Sequence, residues 1–200
     1  MPTVTALREA PRGRVAVELD GSPWRVLPTD VVVRAALVEG RALDRPALRE
    51  LRRELRRAEA LGVAGRALRH RDLSRRRLAE RLERAAVAPA AAAESLAALE
   101  RAGLVDDRRV ACLKAQSLAG RGYGDEAIRY RLLAEGLDEV LVPEALTGLE
   151  PESERARLLI ERRGTGPRTA RYLVSRGFGE EAVEAALGAR FGQEDEAALG

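Results

Sequence analysis

The sequence predicts a mainly α-helical chain: an elongated array of three tandem three-helix repeats behind a small N-terminal β-hairpin and short helix. Three observations predict it. The stretch Arg121–Leu137 recurs, falling on Gly177-Phe178 and Leu173 when moved forward by 41 positions, and on Leu78, Leu82 and Val87 when moved back by 50. A period of this length marks stacked helical units, each too small to bury its own apolar face. Apolar residues also recur at three- and four-residue spacing between capping residues. Finally, 34% of the residues are charged and only 3% aromatic, which suits helices with extensive charged faces.

Taken in order, residues 14–27 alternate with period two. Val15, Val17 and Leu19 lie on one face, Asp20-Gly21 supplies a hairpin turn, and Trp24 and Val26 stand on the return, with Trp24 expected over the hairpin's apolar face. Thr29 or Asp30 caps a short helix over residues 31–39, although its Val run also suits a strand, and Gly40 ends it either way. Asp44 is an N-cap for a long helix with Leu48, Leu51, Leu55, Ala58 and Leu61 inward, expected to pause at Gly62. Asp72-Leu73-Ser74 starts a helix over residues 75–85, and Ala88-Pro89 starts another through Leu99. The second unit has helices over 107–120, 125–135 and 138–146, the last starting late or kinking at Pro143. The third has helices over 152–163, 168–176 and 180–190. The expected divisions are therefore 1–40, 41–105, 106–150, 151–191 and a frayed acidic tail, 192–200. Leu78, Leu82, Ile128, Leu132, Leu173 and Phe178 are expected in the core.

The cations are 34 Arg and one lysine, Lys114, an imbalance that partly reflects composition bias. Their distribution says more than their total. Residues 1–100 carry 20 Arg against 14 acids, whereas residues 101–200 carry 15 cations against 18 acids. The basic half attracts polyanions, of which phosphate is the usual one. Cys112 is the only cysteine, so no disulfide forms within the chain, and no signal peptide or membrane span is expected. A cytoplasmic protein is expected.

No catalytic, metal or cofactor site is expected. His70, Asp72 and Ser74 lie close in sequence but sit at a helix junction, where Asp and Ser serve as caps. One His and one Cys cannot build a His/Cys metal site, and no carboxylate cluster has ligand spacing. Gly120-Arg121-Gly122-Tyr123-Gly124 follows a helix instead of a strand, so helix C-capping explains its glycines better than phosphate cradling. The chain has no Asn and only Gln116 and Gln193, which disfavours sequence-specific reading of DNA but leaves phosphate contact by Arg75, Arg76, Arg77 and Arg81 open. Side chains near the repeat turns are the remaining candidates for partner contact: Arg71, Arg121, Tyr123, Arg129, Arg168 and Arg171. Tyr123 could instead plug the gap between neighbouring helices.

Arg71-Asp72-Leu73-Ser74, Gly103-Leu104-Val105-Asp106-Asp107 with Arg109, Arg121-Gly122-Tyr123-Gly124 with Ile128-Arg129, and Arg176-Gly177-Phe178 together resemble the RecX family of bacterial recombination regulators, from Leu43 to Leu187. The resemblance implies a non-enzymatic modulator that binds RecA recombinase and its DNA filament, lowers ATP hydrolysis and strand exchange, and can itself bind single- or double-stranded DNA weakly. A monomer is expected, and the alternatives are a general DNA-binding protein that contacts phosphates without sequence specificity or a helical-repeat scaffold for another partner. Ala85-Ala86-Val87 departs from the pattern, since the later units have Gly before the apolar residue.

Overall fold

The computed structural model describes residues 1–188. The acidic tail, 192–200, and the end of the last expected helix lie outside the described residues. Residue contacts divide the chain into two compact units. The first holds Met1–Arg71 and Leu78–Leu104; the second holds Asp72–Arg77 and the chain from Val105 onward.

In the first unit, β1 (Val4–Ala10), β2 (Arg14–Leu19) and β3 (Ser22–Pro28) form an antiparallel meander. The expected hairpin is β2–β3, with Val17 opposite Arg25 and Val15 opposite Leu27. The preceding strand escapes the period-two pattern because Arg8 and Glu9 interrupt it, yet it pairs with β2 along its length. Val17 and Leu27 pack with Val31, Leu43 and Leu51 in one core. Trp24 does not cover this core: it is exposed, with the Arg25 guanidinium 5.8 Å from its ring.

The short helix α1 (Thr29–Arg34) has Pro28, not Thr29 or Asp30, at its N-cap, and it ends well before Gly40 because Ala36 turns the chain at φ +47° and Leu37 returns its N–H to the Val32 carbonyl at 2.9 Å. Next comes α2 (Arg45–Leu68), begun by the Asp44 carboxylate, which accepts from the Ala47 N–H at 2.8 Å. It does not pause at Gly62. A glycine inside a helix costs only about 1 kcal/mol, and continuity buries Ala60 and Ala64 completely, one turn apart. Against α2 lies α4 (Pro89–Arg101), preceded by α3 (Arg75–Arg84), whose first turn belongs to the second unit.

The second unit continues with α5 (Asp107–Gly120), α6 (Asp125–Ala134), α7 (Leu141–Thr147), α8 (Glu152–Arg163), α9 (Pro167–Ser175) and α10, residues 180–188. Pro143 falls in the first turn of α7, so the helix starts late instead of kinking. Two cores form here. Ile128, Leu132, Leu137 and Val142 centre one, and Ile160, Leu173, Phe178 and Val183 the other. All six expected core residues are buried; Leu78, Leu82, Ile128, Leu132 and Leu173 have no exposed surface.

The middle helices α6 and α9 end alike. Gly136 and Gly177 take φ of +83° and +80°, and the next residue donates its N–H back to the carbonyl of Leu132 or Leu173. Ala86 makes the same turn after α3, with φ +55° and a Val87 N–H bond to Leu82 of 3.0 Å. The departure seen in the sequence thus leaves the geometry intact and places a side chain where it is strained. Ala86→Gly is expected to stabilise the fold by about 1 kcal/mol, because a non-glycine residue pays roughly 1–2 kcal/mol in this region. A urea-unfolding midpoint that does not rise would contradict it.

Candidate functional site

The second unit contains one joint built twice. At the first, the start of α3 meets the end of α6. Ser74, fully buried, caps α3 by accepting from the Arg77 N–H at 3.2 Å and donates its hydroxyl to the Glu135 carbonyl at 2.9 Å. The Arg76 and Arg77 guanidiniums donate to the Ala134 carbonyl at 2.7 and 3.1 Å. Arg75 donates its N–H to Asp107, the first residue of α5, at 2.7 Å. Arg109 reaches Asp72 at 3.2 Å. Glu135 takes ion pairs from Arg77 and Lys114.

At the second, the start of α6 meets the end of α9. Gly124 N–H donates to the Arg176 carbonyl at 3.0 Å, and Glu126 N–H to the Gly177 carbonyl at 3.1 Å. Glu152, the first residue of α8, accepts from the Asp125 N–H at 2.6 Å and the Gly179 N–H at 3.3 Å. Arg155, buried, donates to the carbonyls of Glu150 and Tyr123 at 3.0 and 2.9 Å and to the Asp125 carboxylate. In both joints the positive N-terminal end of one middle helix meets the negative C-terminal end of the next, and orphan helix-end groups satisfy one another. An acid at the first position of the following helix completes each.

The second joint also stacks cations on aromatic rings. The Arg176 guanidinium lies 3.8 Å from the Tyr123 ring centre and 5.7 Å from that of Tyr172. Arg131 covers Tyr123 at 4.3 Å, and Arg163 covers Tyr172 at 3.8 Å. Each such contact contributes about 0.5–2 kcal/mol, more as water is excluded.

Among the ten arginine and tyrosine candidates, Arg76 and Arg77 therefore serve the first joint, and Arg75 contributes its backbone there. Tyr123 is half-buried, packed against the α5–α7 core and stacked by arginines, as the gap-filling reading expects. Arg121 stands 5.9 Å from its ring and lends a carbonyl to Arg176. Arg129 is half-buried on α6, and Arg168 is exposed at the start of α9. Arg171 bonds the Pro167 carbonyl of its own helix at 3.3 Å. In the first unit, Arg71 is exposed after α2, and Arg81 joins Arg66 and Arg84 around a shallow depression.

Sequence reasoning quoted Asp107, Arg109 and Arg176 only as parts of motifs, with no role at the joints, and passed over Glu152 and Arg155. Their spacing was a signal: Asp107 and Glu152 stand 45 positions apart, and Arg109 and Arg155 stand 46 apart. It also assigned every glycine of the Gly120–Gly124 loop to capping. Gly122, with φ +75°, fits that role, whereas Gly124 is there because any side chain would strike the Gly177 carbonyl.

Acidic neighbours raise two surface arginines above their usual pKa: the Glu50 charge acts on Arg53, and the hydrogen bond that Arg157 donates to the Glu154 carboxylate acts on Arg157. Among the described residues there is no cluster of three His, Cys, Asp or Glu side chains, and no helix is long and apolar enough to cross a membrane.

No family model matches the chain. It is 33% identical over 159 residues to the regulatory protein RecX of Deinococcus radiodurans, an alignment covering 74% of this chain and 76% of that protein. The regulatory protein RecX of Chromohalobacter salexigens is 37% identical over 131 residues, covering 61% of this chain and 86% of the relative. A crystal structure of regulatory protein RecX superposes with a TM-score of 0.79 at 20% identity, covering 92% of this chain and 98% of the other. RecX from Lactobacillus salivarius gives 0.61 at 15% identity, covering 67% of this chain and 96% of the other. With a third of its residues identical across three quarters of the Deinococcus protein, the chain belongs to the RecX family of regulatory proteins.

Proposed function

We propose that this chain is a non-enzymatic, monomeric cytoplasmic regulator that binds RecA or the RecA–DNA filament and lowers its ATP hydrolysis and strand exchange. The observation that carries the reading is kinship with proteins named regulatory RecX over most of the chain. RecA as the partner is what membership of the family implies.

The chain's own chemistry agrees in kind. Buried Ser74 and Arg155 are engaged in holding helix ends together. Exposed Arg71 and Arg168, with the residues around them, present positive charge to a partner. We further propose that residues 41–105, 106–150 and 151–191 are three copies of one three-helix repeat. The recurrent joint and the equivalent core positions Leu82, Leu132 and Leu173 support this division. A stack of such units offers several modest contacts along a filament, which add through pre-positioning.

Titrating the chain into RecA hydrolysing ATP on single-stranded DNA tests the reading. A saturable fall in rate is expected. An unchanged rate, with no chain bound to the filament, would overturn it.

A further inference from the structure

Along α2, Arg49, Arg52 and Arg56 stand at three- and four-residue spacing, which places them on one face. All three are exposed, and none pairs with another described residue, whereas their neighbours Arg53 and Arg57 are held by Glu50, Glu54 and Glu94. The acids of α2 therefore do not neutralise this face. Arg49, Arg52 and Arg56 converge on a surface groove of about 300 Å³, whose other lining is Arg53, three alanines at the start of α4 and Glu94. Glu94, the one acid there, is shared with Arg57 at 3.8 Å.

Three unpaired arginines and one lining carboxylate, that of Glu94, border a floor of alanine methyl groups, Arg53 being held by Glu50 and Glu54. Like charges one helical turn apart repel, and an anion laid between them removes that repulsion. The rest of the lining decides the class of anion. The groove has no aromatic or large aliphatic anchor, of the kind on which protein interfaces concentrate their energy. It has no Asn or Gln to read a base edge. A nucleic-acid backbone needs neither, because guanidinium–phosphate contact fixes position without reading sequence.

We propose that the α2–α4 groove is a phosphodiester-binding site in which Arg49, Arg52 and Arg56 neutralise backbone phosphates of nucleic acid regardless of sequence. None of the arginines singled out near the repeat turns belongs to it. The site works on naked nucleic acid, so it stands independently of the RecA reading.

The test is the salt dependence with which the full chain binds labelled mixed-sequence oligonucleotides, duplex and single-stranded, with no RecA present. Two triple variants are compared with the natural chain, Arg49→Gln/Arg52→Gln/Arg56→Gln and Arg49→Lys/Arg52→Lys/Arg56→Lys. In the glutamine variant the slope of log affinity against log salt is expected to shrink by about 2.7 on duplex or about 2.1 on single strands, at roughly 0.9 or 0.7 per phosphate released. The lysine variant keeps the slope, and the form of DNA that shows the full change is the ligand. No binding by the natural chain at low salt, an unchanged slope in the glutamine variant, or an equal loss in both variants would each overturn the proposal. So would loss of binding to polyglutamate with DNA binding intact, which would assign the groove to an acidic protein.

Discussion

Gly177→Ala is expected to destabilise the second unit by about 2–5 kcal/mol, in two separable parts. Gly177 has φ +80°, so any side chain pays roughly 1–2 kcal/mol for the left-handed conformation. Its Cβ would also lie 2.5 Å from the Ala127 backbone nitrogen and 2.6 Å from the Ala127 Cβ. Neither atom can swing away, and forced overlap of this kind costs about 1–3 kcal/mol more. Gly103→Ala isolates the first part, since Gly103 has φ +67° with nothing within 4 Å of the added carbon. Gly124→Ala isolates the second: its φ of −79° suits alanine, but the Cβ would sit 2.3 Å from the Gly177 carbonyl oxygen. Urea-unfolding midpoints should rank Gly177→Ala as the most damaging. If it costs no more than Gly103→Ala, the close approach of α6 to the end of α9 is wrong.

Arg155→Ala is expected to cost about 3 kcal/mol. One guanidinium serves the carbonyls of Glu150 and Tyr123 and the carboxylate of Asp125, and only 9% of it is exposed. Breaking a buried pair by removing one partner costs about 3–5 kcal/mol, and Asp125, about a third exposed, recovers some solvation. By contrast, Arg157 pairs with Glu154 and Glu161 along the surface of the same helix, where water screens the charges and the pairs contribute little. Arg155→Lys should be intermediate, because an ammonium lacks the planar fork that spans three acceptors. Adding Asp125→Asn to Arg155→Ala should restore part of the loss by removing the stranded charge. A midpoint for Arg155→Ala within about 1 kcal/mol of the natural chain would show that the arginine holds nothing, since even one lost hydrogen bond to a charged group costs more than that.

The core and two of the caps were legible because they depend on local spacing, whereas the cap expected at Thr29 or Asp30 is absent, α1 starting behind Pro28. Leu78, Leu82, Ile128, Leu132 and Leu173 repeat at helical intervals and are all fully buried. Asp44 and Ser74 cap the helices that their residue types announce. The joints were not legible in the same way. Ser74 to Glu135 is a contact between residues 61 apart, and nothing local marks Arg155 as buried or shows that Arg76 and Arg77 bind a carbonyl. Composition worked against the reader here. With 34 arginines in the chain, the few that hold the fold look like the many that face solvent. Gly62 misled for a related reason, since what keeps α2 continuous is the burial of Ala60 and Ala64, a tertiary effect.

The candidate surface inverts part of the expectation drawn from the sequence. Arginines beside the turns, such as Arg76, Arg77 and Arg176, are engaged with backbone carbonyls. The unpaired stripe lies on α2, among acids that pair with its other arginines. Geometry separates the two cases, because those acids pair with Arg53 and Arg57 and leave Arg49, Arg52 and Arg56 alone.

A chain that regulates by occupying a RecA filament, as we propose, must bind that filament. Sedimentation of RecA filaments assembled on single-stranded DNA and locked with a non-hydrolysable nucleotide, in the presence of increasing amounts of the full chain, tests it most directly. The account predicts that the chain pellets with the filament and saturates at a fixed ratio to RecA. A chain that stays in the supernatant at every concentration would contradict it.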